Sequence, residues 1–558
     1  MMKLPMQALA GLLSLLLTLI PTHPSFGQST SRVVRSSNTS SGAIDSSAAL
    51  NNLATDIRSL LTMSSELKSG AVGIRVVSLR NGKSLFDLNS DKPLTPASTT
   101  KLLTTYSALL LFGSDYEIPT ILYGATKPEK GTIKGDLFIK GHGDPLFSVG
   151  DIDELIVKLK SAGVKKIEGD IVGDGTYFDS VYERKDYSGD ADHVVDLPPV
   201  AALGIENNMV TVVVSSSRTA GQLCNVQTFP PSSGFVIVNS AKSYAASKKK
   251  STPKKKKRRS RSSLEEYIPD QSIPKASIGS FGDEEYYDEA AENVEEGIAI
   301  SLTTDEDGRQ TIHVSGTLGL NKTVSKRYEI KNPPVVVAGM FFDRLRTNGI
   351  EITGAVRTGA TLPKAVPLAE FRRPLTQVIS TVMKQSHNHF AEYVFKMIGA
   401  ASGSGKGENA TATQARAAIR QCMEASSAPF ESCVVNDGSG LSRRNLISPQ
   451  ALVATLVAAY NNRPLWKALY ESLSVAGKDG TLRKRMKGTR AEGNVHGKTG
   501  TLKNVSALTG YVTSADGEMF AFAMITNGYN VGTYKSVENK VAERLADFSW
   551  DEGKVVSE

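Results

Sequence analysis

The texture of this 558-residue chain changes twice, and that limits its fold more than any single motif does. Residues 53–67 carry apolar side chains at helical spacing. Two alternating runs, 72–78 and 84–88, follow, joined by Asn81-Gly82, a pair suited to a hairpin turn. "STTKLLTTYSALLLFG" then reads as a helix stopped by Gly113. From 116 to about 361 short β-type runs take over, among them "GDLFIKG", "MVTVVVSS" and "TIHVSGTL", with helices expected near 152–162 and 335–348. Beyond 368 helices return at 375–384, 390–399, 412–425 and 449–459. "VSALTGYVTS" and "MFAFAMITNG" read as strands, and a last helix is expected over 537–548. A chain that begins helix–hairpin–helix and ends strands–helix can close one α/β domain from both ends. That domain is expected over 51–115 and 362–558, with inserted β-rich domain or domains over 116–361.

The N-terminus predicts where the chain works. Lys3 precedes a 13-residue apolar run, 8–20, too short to span a bilayer comfortably, and Pro21 and Pro24 break it. Residues 1–27 therefore read as a secretory signal cleaved after Gly27, and the Ser/Thr-rich 28–50 as a flexible lead-in. An exported protein in the periplasm or cell-wall space is expected. The net charge of +8 misleads, because 248–261 alone holds ten basic residues and no acid. Without it the remainder lies near −2. Residues 265–296 carry eleven acids. With no packing period in 248–296, the segment reads as a charged disordered loop. Its two halves can attract one another, or 248–261 can make peripheral contact with an anionic wall or membrane surface. An exported chain gives that basic block no nuclear role, so no nucleic-acid partner is expected. Three cysteines exclude a disulfide-built scaffold.

Three short motifs carry chemistry. Ser98-Thr99-Thr100-Lys101 opens a helix, Ser386-His387-Asn388 lies between two helices, and Lys498-Thr499-Gly500-Thr501 leads into a strand. One helical turn sets the Lys101 amine beside the Ser98 hydroxyl. Serine needs a neighbouring base to become a nucleophile, and lysine serves only if burial or nearby positive charge lowers its pKa. Lys498 offers such a charge. Ser386 and Asn388, two apart, can aim a relay hydroxyl and a carboxamide to one side. Lys498 and Thr499 can bind a carboxylate, and an edge-strand N–H can join that of Ser98 as an oxyanion hole. Each motif alone is common; their order and their settings on helix and strand make the set specific.

With these motifs, "GDLFIKGHGDPLFS", "ALGIENNMVTVVV", "NDGSGLSRRN", "SVAGKDGTLRKRM" and "HGKTGTLKNVSALTGYV" resemble the D-alanyl-D-alanine carboxypeptidase/endopeptidase family of low-molecular-mass class C penicillin-binding proteins, the DacB group, from about 73 to 527 outside the charged insert. The resemblance implies an α/β penicillin-recognising (β-lactamase/transpeptidase-like) domain built from both chain ends. Ser386 lies 285 positions after Lys101, and such a family fills this gap with β-rich insertions. It further implies Ser98 as acylated nucleophile, Lys101 as its base and Ser386 as relay. Asn388, Lys498, Thr499 and the Thr501 amide would bind substrate, and Asp437 and Ser439 would stand in a loop near the site. Peptidoglycan stem peptides would be the substrates and β-lactam antibiotics the acylating inhibitors, with no cofactor and no metal. A β-lactamase or esterase shares the acyl-serine chemistry, and a non-catalytic wall-binding protein is the reading from another class; the intact motifs disfavour it. Finally, Cys422 late in one helix and Cys433 after a Pro429-containing return predict a disulfide, leaving Cys224 free.

Overall fold

The computed structural model describes residues 46–62, 70–190, 197–245, 297–402 and 408–553. The expected signal, most of the lead-in, the charged loop and the end of the first helix lie outside the described residues. Among the described residues no helix is long and apolar enough to cross a membrane.

The two chain ends meet in one six-stranded sheet. Its order is Ser474–Val475, His496–Leu502, Val505–Thr513, Met519–Asn527, Ala71–Ser78 and Ser84–Leu88. Ala71–Ser78 pairs antiparallel with Met519–Asn527 along its whole length, from Ala71 opposite Asn527 to Ser78 opposite Phe520. The last strands read as nearly continuous apolar runs because both faces are covered. Alternate residues of Met519–Asn527 go opposite ways. Phe520, Phe522 and Met524 meet the helices Ser46–Thr62 and Val531–Asp547. Ala521, Ala523 and Ile525 face a helical layer that includes Thr100–Phe112, Asn388–Ser402 and Pro449–Asn461.

Between the ends, strands build separate sheets. A five-stranded sheet runs Val356–Thr358, Ile171–Asp174, Leu137–Gly141, Glu117–Gly124, Val366–Pro374, with the helices Val149–Ser161 and Pro333–Thr347 packed on its core. This body extends beyond the expected limit of 361, because Val366–Pro374 pairs antiparallel with Glu117–Gly124. Two prolines and two arginines hide that strand's apolar alternation in the sequence. A further layer joins Thr323–Glu329, Met209–Ser215 and Asn225–Phe229, and beside it Gln310–Gly319 pairs with Val236–Asn239, Lys242–Tyr244 and Ile298–Thr304. The helix Arg463–Ser472 was not anticipated, although Asn462 as its cap and Pro464 in its first turn are ordinary start signals.

The expected disulfide is corrected. Cys422, Cys433 and Cys224 are all free and buried. Cys422 points from Ala412–Ala425 into the helical core, whereas the Cys433 sulfur accepts from the Ser448 amide at 3.4 Å. The two thiols pack as small apolar groups, which is how buried cysteine commonly behaves.

Candidate active site

The turn that carries Ser98 is held by backbone close to it on two sides. Ser98 lies in a 3-10 turn, Ala97–Thr99, that feeds the helix Thr100–Phe112. Ala97 has φ +49°, a left-handed conformation costing on the order of 1 kcal/mol or more in a non-glycine residue. The surroundings enforce it. A Cβ on Gly440 would lie 2.0 Å from the Ala97 carbonyl oxygen, and one on Gly500 would lie 2.6 Å from that of Pro96. The loop 437–442 and the strand His496–Leu502 therefore close on the turn only because both positions are glycine. Upstream, the Asn527 carboxamide accepts from the Thr95 N–H at 2.9 Å and donates to its carbonyl at 3.0 Å.

Lys101, one turn on, is fully buried. Its Nζ donates to Ser98 Oγ at 2.8 Å, Asn388 Oδ1 at 2.7 Å and the Ser439 carbonyl at 2.6 Å. Burial lowers its pKa to about 7, and the carboxylates of Asp437 and Glu392 offset part of that fall. The amine is thus matched to accept a proton near neutral pH. Burial, rather than the neighbouring lysine, is the main cause.

Ser386 lies between the helices Leu375–Lys384 and Asn388–Ser402, with φ +56°. Its Oγ accepts from Lys498 Nζ at 2.8 Å, which also donates to the Thr499 carbonyl at 2.9 Å. Lys498 is buried, and burial followed by the Lys101 charge pushes its pKa well below the ordinary lysine value. Among the described residues it makes no ion pair, so its ammonium gains most from an arriving anion. The Thr499 hydroxyl donates to Thr481 Oγ1 at 2.8 Å. Thr501 is half-buried on the same strand, opposite Ser506. The pairing of that strand with Ser474–Val475 reaches only His496 and Gly497, so its edge from Lys498 onward is turned to the Ser98 side rather than to another strand.

The structure thus gathers Ser98, Lys101 and Asn388, and places Ser386, Lys498 and Thr499 beside them. Asn388 accepts from Lys101, a contact its expected substrate role did not include. Of the histidines, His387 lies near enough to Lys101 to feel its charge. The His387 ring lies tilted against that of Phe390, ring centres 4.0 Å apart, and His389 lies within hydrogen-bond distance of the Pro199 carbonyl at 3.0 Å. The His496 ring lies over Tyr470, ring centres 4.0 Å apart.

Sequence reasoning missed Glu392, Arg184 and Tyr187. Glu392 accepts from the Ser439 N–H at 2.8 Å, the Gly438 N–H at 3.3 Å and the Tyr187 hydroxyl at 3.1 Å. Arg184 donates to Asp437 at 3.1 Å and Asp190 at 2.6 Å. A signal existed: Glu392 is an acid in the otherwise apolar run "HFAEYVF", one turn after Asn388.

A model of the D-Ala-D-Ala carboxypeptidase 3 (S13) family matches residues 53–287 and 284–548. The chain belongs to that family. This S13 chain is 29% identical over 519 residues to the D-alanyl-D-alanine carboxypeptidase of Actinomadura sp. (strain R39), covering 90% of this chain and 86% of that protein. It is 24% identical over 470 residues to the D-alanyl-D-alanine carboxypeptidase DacB of Haemophilus influenzae, covering 83% and 87%. The crystal structure of penicillin binding protein 4 (dacB) from Haemophilus influenzae superposes with a TM-score of 0.62 at 23% identity, covering 89% of the S13 chain and all of that one. The α/β fold is therefore shared with a penicillin-binding protein.

Proposed function

We propose that this S13 chain is a serine D-Ala-D-Ala carboxypeptidase acting on peptidoglycan stem peptides through an acyl-enzyme on Ser98. The observation that carries the reading is the buried Lys101 amine, 2.8 Å from Ser98 Oγ and with a pKa of about 7. Neutral Lys101 takes the Ser98 proton as Oγ bonds to the carbonyl carbon of the D-Ala–D-Ala peptide. The N–H groups of Ser98 and Thr501 receive the oxyanion. The proton taken by Lys101 passes by way of the Ser386 hydroxyl, held by Lys498, to the leaving amine, so the C–N bond breaks to release D-Ala and Lys101 is neutral again. Water then hydrolyses the ester, with Lys101 again taking a proton. Lys498 and Thr499 bind the terminal carboxylate, and Asn388 orients both Lys101 and a substrate amide. A cross-link ending in the same D-Ala peptide bond would enter by the same chemistry, giving endopeptidase activity. β-Lactams would acylate the same oxygen. Residues 1–27 would export the chain to the wall space where these substrates lie.

The test is Ser98→Ala in the full chain. D-Ala release from a D-Ala-D-Ala peptide and covalent labelling by a tagged penicillin are both expected to vanish, with circular dichroism unchanged. A labelled alanine variant would overturn the assignment. Rapid turnover of the tag by the parent protein would instead mark a β-lactamase.

A further inference from the structure

Beneath the Ser98–Lys101 pair the protein buries a charge cluster that the acyl-transfer scheme does not use. Glu392 is wholly buried, one turn along its helix from Asn388. Its carboxylate takes the amides of Gly438 and Ser439. The carbonyl of that same Ser439 accepts from Lys101 Nζ at 2.6 Å, and the carbonyl of Gly438 accepts from Thr104 at 2.8 Å. The loop lies directly on the Glu392 helix, since a Cβ on Gly438 would come within 2.4 Å of the Phe395 Cβ and 2.8 Å of the Ala391 carbonyl. Asp437, the next residue back, is also fully buried; it ties the loop on itself through the amides of Gly440 and Ser442, each at 2.8 Å.

Taking a carboxylate out of water costs several kcal/mol unless it is paired; burial, followed by the Asp437 charge, pushes the Glu392 carboxyl up to about 7, so it is fully ionised only above that pH. A neutral side chain filling the same space would avoid that cost, so the charge calls for a reason beyond packing. Lys101 supplies one, because it becomes an ammonium during the reaction.

Resting on the acyl-serine reading, we propose that Glu392 is a positioning residue for acylation. Through two backbone amides it sets the Ser439 carbonyl on Lys101, and its negative charge stabilises the ammonium formed when Lys101 takes the proton of Ser98.

The other charged and titratable groups fall into two sets. Lys498 on the strand His496–Leu502 and His387 before the helix face the Lys101 side, as does Asp437 in the loop. Arg184 and Tyr187, both on the short helix Arg184–Ser188 of the middle region, face Glu392 and Asp437, and Lys396 on Glu392's own helix pairs with Asp179. Of the two carboxylates that act on Lys101, only Glu392 also holds the Ser439 amide.

The test measures the acylation rate of the full chain by a tagged penicillin from about pH 5 to about pH 9, with binding and acylation separated by concentration dependence. For Glu392→Gln the acid limb is expected to move to lower pH by about half a unit or more, since a negative charge that favours the ammonium has gone. The limiting acylation rate should fall by about tenfold or more, because the Gln carboxamide has one acceptor oxygen and sets an NH2 donor against one of the Gly438 and Ser439 amides, while the binding constant stays unchanged. Glu392→Asp keeps the charge one methylene short, so its limb should stay with the parent's while its limiting rate falls. Should Glu392→Gln not fold, Tyr187→Phe decides: losing a donor to the carboxylate makes Glu392 ionise less readily, so the limb again moves to lower pH. A folded Glu392→Gln protein with the parent's limb and limiting rate would overturn the proposal, as would an unchanged Tyr187→Phe profile in that fallback. A parent protein that takes no label, or a Ser98→Ala variant that does, would instead overturn the acyl-serine reading on which this rests.

Discussion

At Lys498 a single side chain is asked to do two opposed things. It is buried without an ion pair among the described residues, which favours the neutral amine, yet it lies where a substrate carboxylate would favour the ammonium. Binding of an anion there would therefore be coupled to protonation, the anion restoring the charge that burial removes. Lys498→Ala is expected to lose a charge-assisted hydrogen bond of about 1.5–3 kcal/mol, seen as a fall of roughly ten- to a hundredfold in kcat/KM on peptides with a free D-Ala carboxylate. The same peptides amidated at that carboxylate should lose much less, so a loss equal on both kinds would remove the carboxylate role. Ser386 faces a related constraint: its left-handed backbone aims the hydroxyl at Lys498, and no short motif in a sequence specifies that conformation.

At the scale of elements, the most consequential one is only five residues long. The helix Arg184–Ser188 belongs to the middle of the chain, yet it delivers a buried guanidinium to Asp437 in the loop beside the Ser98 turn. Gly189 ends it at φ +63°, where a Cβ would meet the Arg444 guanidinium nitrogen at 2.9 Å. Arg184→Met would leave buried Asp437 and Asp190 without their cation, and removing one partner of such a pair typically costs about 3–5 kcal/mol. A lowered melting temperature is expected, together with slower acylation because the loop 437–442 carries the Ser439 carbonyl. A variant as stable as the parent would show that the guanidinium is not what holds the loop. The nucleophile helix shows the opposite economy: Ser98 and Lys101 are placed by one helical turn, and the rest of the chain needs only to bury the amine.

Across the whole molecule, the described residues that flank 248–296 belong to a sheet that has no part in the site. Lys242–Tyr244 and Ile298–Thr304 lie on opposite edges of Gln310–Gly319, with Tyr244 opposite Gly319 and Ile298 opposite Gly316. Two strand spacings across and three residues along put those ends about 14 Å apart, a gap that the four residues left between Tyr244 and Ile298 can span. Deleting 248–296 is therefore expected to leave the fold and D-Ala release from a soluble peptide nearly unchanged. Retention on anionic wall polymer at low salt is the property expected to fall, because such attraction is screened as salt rises. Loss of soluble-peptide activity in a folded deletion protein would show that the insert belongs to the site.

What depends on local periodicity and on fixed short spacings could be read along the chain. The closure of one domain from both ends could be read from the order of elements, and Ser98 beside Lys101 from a three-residue step on a helix. Family resemblance added the partners Asn388 and Lys498. Tertiary structure alone decided the rest. The pKa of Lys101 follows from complete burial, which no spacing reveals. Asn388 binding the lysine, Gly440 and Gly500 admitting two backbones onto the nucleophile turn, and Arg184 reaching Asp437 across 253 residues are contacts between distant segments. The free thiols of Cys422 and Cys433 make the same point, since eleven residues apart in sequence says nothing of where each sulfur points. Local preference acts over a few residues, whereas desolvation and charge pairing are set by whatever the folded chain brings into contact.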